Sequence, residues 1–473
     1  MESLAAWLER QYGRAVQAML ASISAVGIVK TRPGFGQIIR PARGSIVASP
    51  VLAAYDPDPD YFFHWYRDSA VVMDALRLPF EDGSIGSGAL DHFADFVRFS
   101  RALLRLDGRE LVTAASWRER VAPDYRRFLR TEADLEAVHG EHVAGETRVN
   151  PDGTLDVSSW GRPQYDGPAL RALALLRWGP PTSPDAALGA EWSALLRSDL
   201  DFTWRHWREP SFDIWEEEKG THYYTVSVGA AALQAGAAWL EEDEPETAGL
   251  YRSAVDAMRA MLDGFWSPEA GHYRSRVLPN GAASTKELDI AVILAAIHTA
   301  PAGAHSRGAH SAADPRVHAT LARLEALFDA SYTINRSRPQ GSAPAMGRYA
   351  GDVYYSGGAY YFSTLAAAEL CFRAAAAHCD DMPGRNAGNG AGGRQARGWI
   401  EHGDGFLATV RAYTPPDGQM SEQFDQHTGA QSSARHLAWS YASLISCVAA
   451  RRAALASVEA AGRSARAQSP DTV

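Results

Sequence analysis

The sequence predicts an all-α fold arranged as a toroid of helix–loop–helix units, and three observations carry that expectation. Apolar residues recur at helical spacing through about twelve segments, strand-like alternation is scarce, and the loops between segments are long and rich in Gly, Pro and aromatic residues. A ring of such units turns its loops toward a common funnel. No repeat is visible at the level of residues, so the repetition is one of pattern alone.

In chain order, residues 2–24 keep Leu4, Leu8, Ala15, Ala18 and Met19 near a helical period. Val26 to Pro50 then reads as loop, with short extended pieces at Ile38-Ile39 and Ile46-Val47. Further helices are expected near 67–77, 85–104, 167–178, 186–208, 223–241, 244–264, 287–298, 315–330, 357–378, 396–413 and 432–460. Turn-rich stretches separate them at Ser158–Gly167, Trp266–Asn280 and Gly341–Gly358. Pro301–Ala313 and Asn386–Gln395 are of low complexity and are expected as surface loops. A chain of 473 residues is long for one core, which calls for two or three domains or one large repetitive domain. Nothing in it resembles an interdomain linker, so residues 1–462 are expected to form one domain and 463–473 a polar, flexible tail.

Composition narrows the function classes. The chain is 46% hydrophobic and 22% charged, without an apolar run long enough to span a bilayer. Its first residues lack the basic start and apolar core of a signal peptide. The three cysteines, Cys371, Cys379 and Cys447, are odd in number and lack metal-ligand spacing. They fit a reduced, cytoplasmic setting with no disulfide framework. A net charge of −10 argues against a nucleic-acid surface. The 13 Trp and 18 Tyr exceed what a core of this size needs, and a sugar-binding cleft is one place for the excess.

The stretch from Phe212 to Gly220 (Phe-Asp-Ile-Trp-Glu-Glu-Glu-Lys-Gly) places three consecutive carboxylates beside a Trp, with Trp204, Trp207, Tyr223 and Tyr224 flanking it. Aromatic walls desolvate a carboxyl and raise its pKa, as a general acid near neutral pH requires. The bland alternative is an acidic first turn of a helix. Upstream, Tyr61-Phe62-Phe63-His64-Trp65-Tyr66-Arg67-Asp68 sets five aromatics against an Arg–Asp pair at an expected helix start. Asp68 is either a helix N-cap or, with Arg67, a grip on vicinal hydroxyls, since guanidinium donates directionally and carboxylate accepts twice. Ser158 to Arg171 (Ser-Ser-Trp-Gly-Arg-Pro-Gln-Tyr-Asp-Gly-Pro-Ala-Leu-Arg) is a stiff loop entering a helix, with Pro168 near its first turn. Near the C-terminus, Gly347-Arg348-Tyr349 and Ser421-Glu422-Gln423-Phe424-Asp425 lie on loops. Two acidic loops at one end of a toroid supply the pair of carboxyls that glycoside hydrolysis needs, one protonated and one ionised.

Together with Gly44-Ser45-Ile46-Val47-Ala48-Ser49-Pro50 and Ser433–Tyr441 (Ser-Ala-Arg-His-Leu-Ala-Trp-Ser-Tyr), these segments resemble glycoside hydrolase family 15, specifically its fungal-type catalytic domain, from about residue 3 to 455. The resemblance implies an (α/α)6 barrel that removes terminal α-linked glucose from non-reducing ends with inversion to β-glucose, without metal or cofactor. It places Glu216 as general acid and Glu422 as the base that activates water. Arg67 and Asp68 hold the terminal glucose, and Arg348 and Glu217 reach that sugar or the next. Trp65, Trp160 and Trp215 line the pocket, Tyr61 and Gln423 lie by the base, and Ile214 and Tyr349 complete the wall. On this reading Trp215 and Trp160 desolvate Glu216 and keep it protonated, while Glu422 stays ionised.

The chain departs from the secreted fungal pattern in lacking a signal peptide, a disulfide set and a starch-binding module, and it lacks the N-terminal β-sandwich of many bacterial members. Phe63 stands for a Tyr, and Ser356 and Tyr360 for Asn and Trp, near the outer sugar positions. The expected partner is therefore a soluble malto- or isomalto-oligosaccharide, met by a monomer or weak oligomer that binds neither nucleic acid nor membrane. Two other readings stand beside this one: hydrolysis of a different α-glucosidic bond, such as that of trehalose or dextran-type α-1,6 chains, and a non-catalytic oligosaccharide binder.

Overall fold

The computed structural model describes residues 2–54, 57–181, 185–301, 308–380 and 391–467. Twelve long helices dominate it: α1 (Leu4–Leu20), α2 (Tyr66–Glu81), α3 (Gly88–Leu103), α4 (Asp166–Trp178), α5 (Ala186–His206), α6 (Tyr223–Leu240), α7 (Pro245–Asp263), α8 (Ala291–His298), α9 (Pro315–Ser331), α10 (Tyr361–Asp380), α11 (Ala391–Tyr413) and α12 (Ala438–Ala467). The even-numbered helices close a ring, each packing on the next: α2 on α4, then α6, α8, α10, α12 and back to α2. The odd-numbered helices lie outside, with α5 against α4, α7 against α6, α9 against α8 and α11 against α10.

Sequence explains which helices are inside. α8 (Ala-Val-Ile-Leu-Ala-Ala-Ile-His) is apolar all round and buried from Ala291 to Ile297, as a helix with neighbours on every side must be. α10 carries an alanine-rich run that lets its neighbours approach closely, and Ala366, Ala367, Ala368, Ala374 and Ala375 are all buried. The outer helices α1 and α7 instead alternate buried and exposed faces. Arg171 of α4 clamps the inner ring to the outer one through a bidentate pair with Asp199 of α5, at 2.8 and 2.7 Å, both fully buried. Such a pair adds little net stability, but losing one partner would strand a buried charge, so it fixes how the two helices meet.

All strands are short. Lys30–Arg32 pairs with Gln37–Ile39, and Ile46 bridges Ile23, so both extended pieces expected in the first loop are present. The twelve helices fall where their periodicity placed them, with ends shifted by a few residues. Three expectations need amendment. Residues 391–395 open α11 and are not loop, since Ala, Arg and Gln sustain a helix across the two glycines there. The stretch 105–166 holds unexpected short helical turns at 108–113, 115–120, 123–128, 132–136 and 140–145, each too brief to show a hydrophobic period. Finally, α12 continues to Ala467, past the start of the expected tail, and residues 302–307, 386–390 and 468–473 of the expected loops and tail lie outside the described residues.

Every inner helix begins at the same end of the ring, where residues singled out in the sequence meet others that were not. Arg67 and Asp68 sit in the first turn of α2, Asp166 opens α4, Asp289 precedes α8, and Trp439 lies in the first turn of α12. Six helix N-termini converging on one place make it electropositive, an environment suited to a cluster of carboxylates. Beneath them, Trp215, Phe362 and Trp439 stack as a floor, with Phe362 and Trp439 at 4.6 Å between ring centroids and 9° between planes.

Candidate active site

The Phe212–Gly220 stretch is a hairpin and not a helical turn. Ser211–Phe212 pairs with Lys219–His222, leaving residues 213–218 as a tight loop. Asp213 organises that loop: its Oδ1 accepts the backbone N–H groups of Trp215 and Glu217, both at 3.0 Å, and its carbonyl accepts that of Glu216 at 2.9 Å. Short side chains that fold back on their own backbone favour turns over helix, which explains why the acidic triplet did not start one. Glu216 adopts a left-handed backbone with φ of 66°, a conformation that a non-glycine residue holds only under constraint from its surroundings.

The constraint is a buried network. Arg276 donates to Asp213 at 2.6 Å, Glu218 at 2.9 Å and Asp289 at 2.5 Å. Asp289 also accepts the indole N–H of Trp215 at 2.8 Å and caps the start of α8 through Ala291. This settles Trp215: its polar edge points away from Glu216, and its ring belongs to the stacked floor. The expectation that Trp215 desolvates the Glu216 carboxyl is thereby corrected.

Glu216 is held by three N–H donors. Trp65 reaches Oε1 at 2.8 Å, Arg67 reaches the same oxygen at 3.1 Å, and the Trp160 indole donates to Oε2. Trp160 therefore meets Glu216 through its polar edge and orients it without burying it in an apolar wall. The loop that carries Trp160 approaches the hairpin so closely that a side chain at Gly161 would put a Cβ 2.8 Å from the Glu216 carbonyl and 3.0 Å from Phe212. Arg148 covers the Trp160 ring at 3.6 Å, and 39% of the residue remains exposed at the mouth.

Arg67 is surrounded by acceptors: Gln164 at 3.2 Å, Asp166 at 3.3 Å, Glu216 at 3.1 Å and Asp68 at 3.4 Å. Trp65 occupies the N-cap position of α2 and no side-chain cap bond forms, so Asp68 is not an N-cap. Among the described residues, Arg67 Nε and Asp166 Oδ1 are buried without a hydrogen-bond partner, and buried Asp68 Oδ2 has its 3.4 Å ion pair with Arg67 but no hydrogen bond. Orphaned polar atoms of this kind cost free energy and mark a place where a polar ligand or water completes the bonding. Burial, opposed by Arg67 and reinforced by Glu216, pushes the Asp68 carboxyl up to about 6.

Glu422 stands just ahead of the strand Gln423–Phe424, which pairs with Ala359–Tyr360 and Gln431–Ser432. Its Oε2 accepts the Ser433 hydroxyl, and Tyr61 reaches Oε1 at 3.4 Å while sharing a hydrogen bond with Tyr354 at 2.8 Å. Burial pushes the Glu422 carboxyl up to about 7, with Ser433 and Arg348 pulling the other way. Burial thus works against the ionised form that the expected role as base requires, and Ser433 and Arg348 work for it. The Tyr61 ring packs on Trp65 at 5.2 Å, so a short aromatic bridge joins the groups around Glu422 to those around Glu216.

Arg348, Glu217 and Tyr349 form a second wall. Arg348 makes a bidentate pair with Asp352 at 2.7 and 2.6 Å and also donates to Glu217 at 3.1 Å. Trp215, Tyr349, Tyr354 and Tyr360 surround its guanidinium at 5.1–5.4 Å. Glu217 further accepts Tyr349 and Lys286, each at 2.5 Å. Of two further expected binding residues, Ile214 is buried, and Gln423 is fully buried with its amide committed to Ser356, Tyr354 and Tyr360. Gln423 thus shapes the 354–360 loop, and Tyr360, whose hydroxyl donates to Asp352 at 2.9 Å, belongs to the same support. Sequence reasoning passed over Gln164, Asp166, Asp289, Asp352, Ser433 and Trp439. Gln164, Asp166, Ser433 and Trp439 lie inside the segments quoted for the resemblance, whereas Asp289 and Asp352 lie in none of them.

A closed ring of paired helices whose loops gather two carboxyls, a guanidinium and exposed aromatics at one mouth defines a glycoside hydrolase of the α/α-toroid type. The chain belongs to Glycosyl hydrolases family 15, whose sequence pattern matches residues 34–382 and 396–449. It is 30% identical to a protein named probable glucoamylase from Schizosaccharomyces pombe, over 96% of this chain and 94% of that one. A glucoamylase from Neurospora crassa is 29% identical over 88% of this chain, which spans 64% of that protein's length. Among solved structures, the glucoamylase of Hormoconis resinae superimposes with a TM-score of 0.75 and 26% identity, covering 95% of this chain and 74% of the other. That of Saccharomycopsis fibuligera gives 0.78 at 22% identity, over 96% of each chain, and supports the (α/α)6 barrel. The protein is therefore a glucan-hydrolysing enzyme of that family.

Proposed function

We propose that this enzyme releases β-glucose from the non-reducing ends of soluble malto- or isomalto-oligosaccharides by direct inversion. The observation that carries the proposal is the placement of Glu216 and Glu422 on different loops, joined through the Trp65–Tyr61 bridge. In this reading the terminal glucose enters with its hydroxyls on Asp68 and Arg67, whose buried atoms Oδ2 and Nε then gain hydrogen bonds. Glu216, fixed in orientation by Trp65 and Trp160, delivers a proton to the glycosidic oxygen as the bond to C1 breaks. Glu422 removes a proton from a water molecule that attacks C1 from the opposite face, which inverts the configuration. The working state needs Glu422 ionised, and Ser433 and Arg348 both favour that form against the effect of burial. The carboxylates balance the positive charge that develops on the sugar ring, and Arg67 holds Glu216 and Asp166 in place.

The leaving sugar is assigned to the Arg348, Glu217 and Tyr349 wall. Because Tyr360 and Ser356 support that wall through Asp352 and Gln423, we place the choice of linkage there. We also assign the activity to the cytoplasm, a reading that fractionation of the native cells tests directly. Glucose release from maltose, isomaltose, trehalose and maltoheptaose, measured for wild type and Glu216→Gln, tests the activity and names the linkage. Loss of a positioned general acid lowers kcat by about 10²–10⁴-fold. Binding of maltose without glucose release by wild type would establish the non-catalytic reading instead.

A further inference from the structure

The residues that open α8 touch both walls of the mouth. On one side the Asp289 carboxylate accepts the Trp215 indole N–H at 2.8 Å and the Arg276 guanidinium at 2.5 Å. Arg276 in turn holds Asp213, whose Oδ1 fixes the backbone N–H groups of Trp215 and Glu217, the two neighbours of Glu216. On the other side the backbone of Asp289 pairs with Tyr349 as an antiparallel bridge, and the Ile290 N–H donates to the Arg348 carbonyl at 2.9 Å. The anchor is deeply set: Asp289 is fully buried, its Oδ1 accepts the Ala291 N–H at 2.8 Å, and α8 is buried from Ala291 to Ile297.

Charge balance does not account for Asp289. Arg276 already faces Asp213 and Glu218, and taking a third carboxylate out of water costs free energy. Its four hydrogen-bonded or paired neighbours lie instead on the acid hairpin, on α8 and on the Arg348–Tyr349 wall, which it brings into one register. We propose that Asp289 is a positioning residue for the protonating carboxyl, locking the Glu216 hairpin against the Arg348–Tyr349 wall so that the acid meets the oxygen of the bond to the leaving sugar. Resting on the general-acid role of Glu216 proposed above, this gives Asp289 no contact with the substrate. A displacement of about 1 Å at the acid costs about 10²-fold in rate.

A substrate whose leaving group needs no proton tests it. Fluoride leaves C1 of α-glucosyl fluoride as the anion, whereas the sugar leaving from maltose must be protonated, so a misplaced acid slows maltose and spares the fluoride. The rate kcat is measured on both substrates for wild type, Glu216→Gln, Asp289→Asn and Trp215→Phe. Asp289→Asn keeps the shape of the side chain and loses its charge, while Trp215→Phe keeps a ring in the stacked floor and removes the N–H that Asp289 accepts. The expected result for Asp289→Asn is a loss of about 10–10²-fold on maltose against less than about threefold on the fluoride, with a smaller loss of the same kind for Trp215→Phe. Equal losses on the two substrates, or no loss on maltose, overturn the proposal; where Asp289→Asn does not fold, Trp215→Phe decides by the same criterion. Glu216→Gln separates the two readings. Equal losses on both substrates there refute Glu216 as the acid, whereas a preferential loss on maltose for Glu216→Gln but not for Asp289→Asn refutes the positioning role alone.

Discussion

Replacing Glu422 by Gln separates what this carboxyl does for catalysis from what it costs the fold. Burial raises its pKa from 4.5 to about 7, a difference of roughly 2.5 units or ~3 kcal/mol. The folded state therefore binds the proton more tightly than the unfolded chain does. Below the unfolded value both states are protonated and the group contributes no penalty. As pH rises from about 4.5 to 7 the unfolded chain ionises first and wild-type stability falls, and above about 7 the full penalty is present. Glutamine removes the titration but keeps only one acceptor for the Ser433 and Tyr61 hydroxyls, which returns about 1 kcal/mol. The variant should thus be about 2 kcal/mol more stable than wild type at pH 8 and no more stable at pH 4.5. For 473 residues the unfolding entropy is on the order of 1 kcal/mol per degree, so the gain corresponds to a Tm rise of about 2 °C. Thermal melts of both proteins across that pH range provide the assay, with glucose release confirming inactivity. A gain that does not depend on pH, or no gain at pH 8, would refute desolvation as the cause.

Two further predictions concern the groups around the carboxyls. Ser433→Ala removes a hydrogen bond that favours ionised Glu422, so the acid limb of the kcat/KM profile should move to higher pH while the alkaline limb stays in place; an unmoved acid limb argues against Glu422 as the titrating base. Gly161→Ala forces a Cβ against the Glu216 carbonyl, and a shift of a few tenths of an ångström there should lower kcat about tenfold with little change in Tm, as steady-state kinetics beside a melt will reveal.

The ring of helices was legible because each inner helix carries enough apolar residues to show its period, down to the eight-residue α8. The turns between 105 and 145 were not, since five or six residues are too few for a period to emerge. At the site, the structure brings together several residues that the resemblance named, Trp65, Arg67 and Trp160 on Glu216, and Arg348 and Tyr349 on Glu217. The resemblance could not distinguish such residues from those that secure a loop. Gln423 lies next in sequence to Glu422, yet its amide secures a loop. Electrostatics was the least legible layer. The direction in which Trp215 points depends on Asp289, 74 residues away, and the acidity of Glu422 depends on how deeply three loops bury it. Both are properties of long-range packing, which local sequence does not carry.

The central claim is that two carboxyls act on opposite faces of one glycosidic bond. Proton NMR of the first sugar released, recorded before mutarotation, tests it most directly. The account predicts the β anomer from an α-linked substrate, appearing in wild type and suppressed in both Glu216→Gln and Glu422→Gln. If the α anomer appears first, Glu422 is not activating water, and the assignment of the two carboxyls is contradicted.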